Sequence, residues 1–399
     1  MGERNRNRGE HRRRRQFFLV CSRRTYNHHT RLFRIRGDFT IHGIITRGVG
    51  GLYGVRLTHN EEDAPCGELS GSELLCRARG IFRLNGITPL VGDVVEIERD
   101  TENELSQEER ETEQEEGVRV DYVIDRIYPR SSALIRPPVA NLTHLFAVIP
   151  AAQPKPDLLT ADKLTVIAEN YGIEPVIIIN KADLDGENTA ILSEIYGKAG
   201  YRVFALSAET GEGVDALYRY IEETASGETP MLSAFAGVSG AGKSTLMTGM
   251  FPDLSLKTGK VSRKTERGRH TTRHVELYPV EIGGGMLYIA DTPGFSMLDF
   301  TRFNFFPTDE LALSFREFAD CVGRCRYTKC THTKEEGCAV IERVEKGEVP
   351  ISRHESYIKI LEEMKKKPDW ERQKEEEKNL RRGSQGQTTH RQGRKHGKR

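Results

Sequence analysis

Long apolar runs are missing from this 399-residue chain. A bilayer span needs ~18 to 20 consecutive apolar residues, and stretches such as Val176 to Ile179 have only strand length, so an integral membrane protein is not expected. A secretory leader is not expected either. Arg12 to Arg15 do precede Phe17, Phe18, Leu19, Val20 and Cys21, but that run is shorter than the about 7 to 15 apolar residues of a leader core. The segment reads as a basic arm, with an organelle-targeting extension as the alternative. Cysteines are few and odd in number, seven in all, and four of them fall between Cys321 and Cys338 beside a histidine. Such clustering speaks for a metal site in a reducing compartment over a disulfide framework.

Net charge is nearly absent too: 60 Lys and Arg stand against 59 Asp and Glu, a formal +1. The sum hides its distribution. Residues 1–36 carry twelve Arg against two Glu, residues 100–116 carry nine acids against one Arg, and residues 378–399 carry eight basic residues and no acid. A near-neutral total therefore excludes no polyanion partner. At about 150 residues per domain the length supports two or three domains, each able to bury a core.

From Phe39 to Arg130 the pattern is short, β-rich and broken by turns: Phe39 to Ile41, the glycine-rich Gly48 to Gly54, Cys76 to Gly80, and Val94 to Ile97. Four or five strands in that length fit a small β-barrel. The acidic run interrupts it between two strands and has the composition of a solvated hairpin tip. From Ala140 apolar strands alternate with amphipathic helices: Leu145 to Ile149, a helix near Thr160 to Tyr171, Pro175 to Ile179, Arg202 to Leu206, Met231 to Phe235 and Met286 to Ala290. That alternation predicts βαβ units and a parallel sheet. Beyond Asp299 the pattern turns helical and cysteine-bearing, and beyond Met364 it becomes a charged tail. The expected division is 1–36 basic arm, 37–130 barrel, 131–298 α/β nucleotide domain, 299–364 metal domain and 365–399 tail.

Gly237, Val238, Ser239, Gly240, Ala241, Gly242, Lys243 and Ser244 match the phosphate-loop pattern G-x-x-x-x-G-K-[ST], after an apolar strand and before a helical segment that continues through Thr245. The glycines let backbone N–H groups surround phosphates, and the helix N-terminus favours the negative charge. Lys243 would reach the β- and γ-phosphates, and the Ser244 hydroxyl would coordinate Mg²⁺. The loop alone does not separate ATP from GTP. Asn180, Lys181, Ala182 and Asp183 follow the strand ending at Ile179, where the Asp183 carboxylate can accept from the N1–H and amino group of guanine. Asn180 would brace neighbouring loops, and the Lys181 stem would lie across the base. Ser207 and Ala208, with Glu209, again follow a strand and can offer an N–H to guanine O6. Asn-Lys-x-Asp by itself could be a polar turn; together the three segments read as a guanine site, with a P-loop ATPase or small-molecule kinase as the disfavoured alternative.

Asp291, Thr292, Pro293 and Gly294 follow the last of these strands, where a carboxylate can hold the Mg²⁺ shell and the Gly294 N–H can meet the γ-phosphate. Arg267 to Arg273 suit a first switch, with Thr272 as the preferred Mg²⁺-contacting threonine and Thr271 the alternative. The order is unusual, because the base-recognition segments precede the phosphate loop. The nucleotide domain is therefore circularly permuted, and the second switch runs straight into the C-terminal region.

Cys325, Cys330, His332 and Cys338 supply three thiolates and one imidazole, a common set for a closed tetrahedral Zn²⁺ site. Fortuitous or buried cysteines are the alternative, and Cys321 is a fifth candidate that could replace a ligand or pack in the core.

On these residues, together with Gly92 and Asp93, Ile135 to Asn141, Gly268 to Thr272 and the run Cys338-Ala339-Val340, the chain resembles the RsgA (YjeQ) family of circularly permuted GTPases that act in maturation of the small ribosomal subunit. The resemblance covers residues 36–364. It implies an N-terminal OB-fold, a central P-loop GTPase domain and a mainly helical C-terminal domain with one Zn²⁺ at Cys325, Cys330, His332 and Cys338. It also implies Mg²⁺ with GTP, His270 as a catalytic candidate beside Lys243 and Thr272, and the small subunit with its rRNA as partner. A cytoplasmic monomer is expected, or an organelle stroma or matrix if the arm is a targeting extension. Phe295 follows Gly294 where many such enzymes carry a water-positioning glutamine, so intrinsic hydrolysis should be slow and partner-stimulated. The competing expectation is an RNA-binding placement or checkpoint module in which hydrolysis is incidental. The basic tail suits phosphate contact, or serves only as a solubilising extension.

Overall fold

The structure, a computed structural model, describes residues 41–58, 71–100, 120, 122–227, 229–254, 275–291, 300 and 305–366. The basic arm, nearly all of the acidic run, both switch segments and the tail lie outside the described residues.

Strand β1 (Ile41–Val49) is followed by β2 (Leu52–Leu57), β3 (Glu73–Ala78), the short helix α1 (Gly80–Leu84), β4 (Val94–Arg99) and β5 (Tyr122–Ile127). The glycine-rich stretch Gly48 to Gly54 is a hairpin. Gly50 (φ 62°) and Gly51 (φ 86°) form its turn, both in the left-handed region that a two-residue hairpin requires. β1 pairs antiparallel with β2 and β2 with β3, β3 runs parallel to β5, β5 pairs antiparallel with β4, and β4 closes onto β1. This is the connectivity of a five-stranded OB barrel. Ile45, Val55, Cys76, Val95, Ile97 and Ile124 fill its interior, each large aliphatic contributing about 1.5 to 3 kcal/mol on burial.

A small hairpin, β6 (Ala133–Leu134) with β7 (Val139–Ala140), leads out of the barrel. Its root is polar and tightly bonded. Arg130 makes a bidentate pair with the buried Asp93 at 2.7 and 2.8 Å, while Asn141 donates to the Gly92 carbonyl and accepts from the Ser131 N–H. Gly92, Asp93 and Asn141 thus serve the junction between barrel and sheet.

The second sheet is built from β8 (His144–Pro150), α2 (Leu158–Asn170), β9 (Glu174–Asn180), α3 (Gly186–Lys198), β10 (Arg202–Ala205), α4 (Val214–Ala225), β11 (Met231–Ala236), α5 (Lys243–Met250), β12 (Glu276–Ile282) and β13 (Gly285–Asp291). The strand order is β10-β9-β8-β11-β13-β12, parallel except for β12. β9 and β11 are apolar on both faces, as strands covered by helices on both sides must be. Asp157 and Asp185 cap α2 and α3 by accepting from Thr160 and Asn188 N–H groups. β12 has no counterpart among the strands expected from the sequence. Its first residue, Glu276, pairs with Arg47 of β1, so the sheet continues into the barrel.

Three single 3₁₀ turns, Thr308–Glu310, Ala312–Ser314 and Arg316–Phe318, precede α6 (Ala339–Glu345) and α7 (Ile351–Lys365). Arg353 of α7 is fully buried. Its guanidinium donates to Asp162 of α2 at 2.6 Å, to Glu317 at 2.7 Å and to the Tyr201 hydroxyl at 3.1 Å, and lies 4.7 Å from the centre of the Phe315 ring. No described helix is long and apolar enough to cross a membrane.

Candidate functional site

The carboxyl ends of β9, β10, β11 and β13 open on one side of the parallel sheet, the position at which doubly wound sheets bind ligands. Asn180, the last residue of β9, joins three of the loops there. Its Nδ2 donates to the Ala241 carbonyl at 2.8 Å, and its Oδ1 accepts from the Lys181 N–H at 2.8 Å and the Ala208 N–H at 2.9 Å. The Asn180 to Asp183 turn, the Ser207 to Glu209 segment and the Gly237 to Gly242 loop are thereby fixed to one side chain. Gly242 (φ 91°) lies so close that a Cβ there would sit 2.2 Å from Asn180 Nδ2. Glycine is required at that position both for its backbone angle and for the approach.

Gly237 to Gly242 lead from β11 into α5, whose N-terminus has no side-chain cap, so its first N–H groups are available to an anion. Ser244 and Thr245 are exposed in its first turn. Lys243 Nζ donates to the carbonyls of Gly237 and Val238 at 2.8 and 2.9 Å, and burial lowers its pKa. Across the site, Asp183 is exposed, whereas Ser207 is buried and its hydroxyl accepts from the Thr210 N–H. Asp291 ends β13. Desolvation raises its pKa, a shift that a neighbouring cation reverses. His270, Thr271, Thr272, Gly294 and Phe295 lie outside the described residues.

Sequence reasoning missed the segment that follows β8. The Ala151 N–H donates to the Asn180 carbonyl at 2.7 Å, Lys181 Nζ donates to the Gln153 carbonyl, and Asn188 Nδ2 donates to the Ala151 carbonyl. Backbone acceptors carry no sequence signature, and Asn188 lies outside every motif.

In the C-terminal region Cys325, Cys330, His332 and Cys338 bring their four ligand atoms within 4.8 Å of one another and could hold a metal ion. His332 Nδ1 is 3.5 Å from the sulfurs of Cys325 and Cys338, which are 3.9 Å apart. Burial pushes the Cys330 thiol up to about 12, so its thiolate needs a cation beside it. Burial also lowers the His332 pKa, favouring the neutral ligating form. Cys321 is not in the cluster: it is buried, and its sulfur accepts from Arg343 at 3.5 Å. α7 supports the ligand loop, with His354 Nε2 donating to the His332 carbonyl at 2.7 Å and the Tyr357 hydroxyl to that of Thr331 at 2.9 Å.

Comparison with known proteins places these features in one lineage. The model of the RsgA GTPase family matches residues 127–301, and that of the RsgA N-terminal domain matches residues 42–105. The small ribosomal subunit biogenesis GTPase RsgA of Caldanaerobacter subterraneus subsp. tengcongensis is 38% identical over 82% of this chain and 97% of its own length. Its namesake from Ruminiclostridium cellulolyticum is 35% identical over 85% and 98%. Among solved structures, YjeQ from Thermotoga maritima aligns with a TM-score of 0.62 and 31% identity, covering 82% of this chain and 98% of that one. YloQ, described as a circularly permuted GTPase, aligns with 0.59 and 30%, covering 84% and 98%. With identity of this degree over about four fifths of the chain, and with both family models matched, the chain belongs to the RsgA family.

Proposed function

We propose that this protein is a GTPase that binds the small ribosomal subunit and couples GTP hydrolysis to late subunit maturation and to its own release. The observation that carries the proposal is the Asn180 brace, which holds the Asn180 to Asp183 turn against the Gly237 to Gly242 loop. Asp183 would read the guanine edge, and the Ala208 N–H would meet O6. Gly237 to Gly242, Lys243 and Thr245 would hold the phosphates. Ser244 and Thr272 would coordinate Mg²⁺, with Asp291 behind them and Gly294 at the γ-phosphate. The magnesium ion would neutralise charge on the transferring phosphoryl group. His270 is assigned to the hydrolytic step, because Phe295 has no hydrogen-bonding group for water.

The ion at the cysteine cluster is assigned as Zn²⁺. Tetrahedral zinc with Zn–S of about 2.3 Å and Zn–N of about 2.0 Å separates its sulfurs by about 3.8 Å and sulfur from nitrogen by about 3.5 Å. The spacings of 3.9 and 3.5 Å fit that geometry. Barrel (37–130), GTPase (131–298) and zinc (299–364) modules would act together as a monomer on rRNA, in the compartment where small subunits are assembled, the cytoplasm being the expected one. The test is GTP turnover with and without purified small subunits, with large subunits as control. Stimulation by small subunits alone supports the proposal; equal turnover in all three refutes it.

A further inference from the structure

The segment 151–156, Ala-Ala-Gln-Pro-Lys-Pro, carries no recognised motif, yet it touches both halves of the nucleotide site. Its Ala151 N–H is bonded to the carbonyl of Asn180, at the root of the base-reading turn. The Gln153 carbonyl accepts from the ammonium of Lys181, which itself sits at a left-handed φ of 64°. On the phosphate side the Pro154 ring lies against Gly240, where a Cβ would be only 3.4 Å from Pro154 Cδ. A second side chain from outside the segment fastens it: Asn188, in the first turn of α3, donates from Nδ2 to the buried Ala151 carbonyl. Asn188 is itself held, because its N–H donates to the capping Asp185 carboxylate at 2.9 Å.

We infer that the 151–156 segment is the floor that sets where the Lys181 stem lies, and that Asn188 is the positioning residue that holds this floor. The inference rests on the proposed guanine-nucleotide site and adds a residue to it. A lysine stem packed on a purine is indifferent to the substituent at C2, whereas a carboxylate on the base edge is not. Asn188 should therefore govern how long any purine of this class stays bound, and Asp183 which purine is preferred. With Asn188 removed, the Ala151 carbonyl loses its side-chain donor, the segment loosens, and the Lys181 ammonium loses a fixed acceptor.

The experiment is stopped-flow release of the fluorescent N-methylanthraniloyl derivatives of GDP, IDP and XDP from the full chain. Asn188→Ala is expected to release all three faster by a common factor of about three to tenfold, the loss of one or two hydrogen bonds. Asn188→Asp, which keeps the shape and removes the donor, should behave alike, and melting temperatures should stay close to that of the parent. Asp183→Asn should instead change the ratio, favouring XDP over GDP. Should Asn188→Ala fail to fold, Pro154→Gly, which removes the ring against Gly240 and frees the segment, must show the same uniform acceleration. Unchanged release from the folded variants, or acceleration for GDP alone, overturns the inference while leaving the guanine site intact. Failure of the parent chain to bind any of the three would overturn the site itself.

Discussion

At the candidate nucleotide site the backbone makes most of the contacts: α5 begins without a side-chain cap, and Asn180 ties three loops through main-chain partners. In the C-terminal region side chains carry the structure. Three sulfurs and an imidazole meet at one point, and Arg353 is enclosed by two carboxylates and three aromatic rings. The first arrangement rests on a continuous parallel sheet and should survive loss of its ligand. The second has few regular elements, two helices and three single turns, so its order should depend on ion and charge pairing. Binding and folding are thus separable at one end of the molecule and joined at the other.

The largest expected effect comes from the metal. Removing it by chelation, or replacing Cys330→Ser, should cost the C-terminal region several kcal/mol, because metal binding free energy at such sites is folding free energy. Amide exchange is expected to quicken across 325–366 and remain slow in β8, β9 and β11; equal loss in both regions would break the contrast. Next in size, Arg353→Leu leaves Asp162 and Glu317 buried without their cation and should destabilise by about 3 to 5 kcal/mol in urea denaturation. Replacing all three residues with leucine should recover much of that loss, since desolvated ion pairs are often no better than apolar packing.

Lys243→Ala should act in the opposite sense, on binding and not on folding. GTP affinity is expected to fall by at least about 100-fold, the loss of one or more charged hydrogen bonds to phosphate, with melting of the nucleotide-free protein nearly unchanged. The smallest effect concerns His144 at the start of β8. Burial lowers its pKa, so below about pH 6.5 the unfolded chain takes up the proton first and stability falls as pH drops. His144→Asn should flatten the difference in unfolding free energy between pH 7 and pH 5.5; an unchanged slope would remove His144 from the acid response.

Much of the candidate nucleotide site was legible because its proposed chemistry restricts local sequence. A phosphate cradle needs glycines at fixed spacing, and a guanine reader needs an acid after a buried strand. The permuted order of these segments was legible too, and the strand order β10-β9-β8-β11-β13-β12 realises it. The cluster of Cys325, Cys330, His332 and Cys338, which could hold a metal ion, could be read from residue type and spacing. What escaped depends on partners distant in sequence. Arg353 and Asp162 are 191 residues apart, and each alone looks like an ordinary surface charge on a helix. Asn188 donates to a carbonyl, which leaves no trace in residue identity. β12 escaped because Glu276 to Ile282, an antiparallel strand on the flank of the parallel sheet, mixes charge, proline and apolar residues.

The central claim is that nucleotide state governs residence on the small subunit. It is tested most directly by co-sedimentation of the full chain with purified small subunits in a non-hydrolysable GTP analogue, in GTP and in GDP, alongside Thr272→Ala. Retention with the analogue, release in GTP and GDP, and retention of Thr272→Ala even in GTP are the predicted results. Equal retention of the parent chain in all three nucleotides would contradict the claim and leave a placement module whose hydrolysis is incidental.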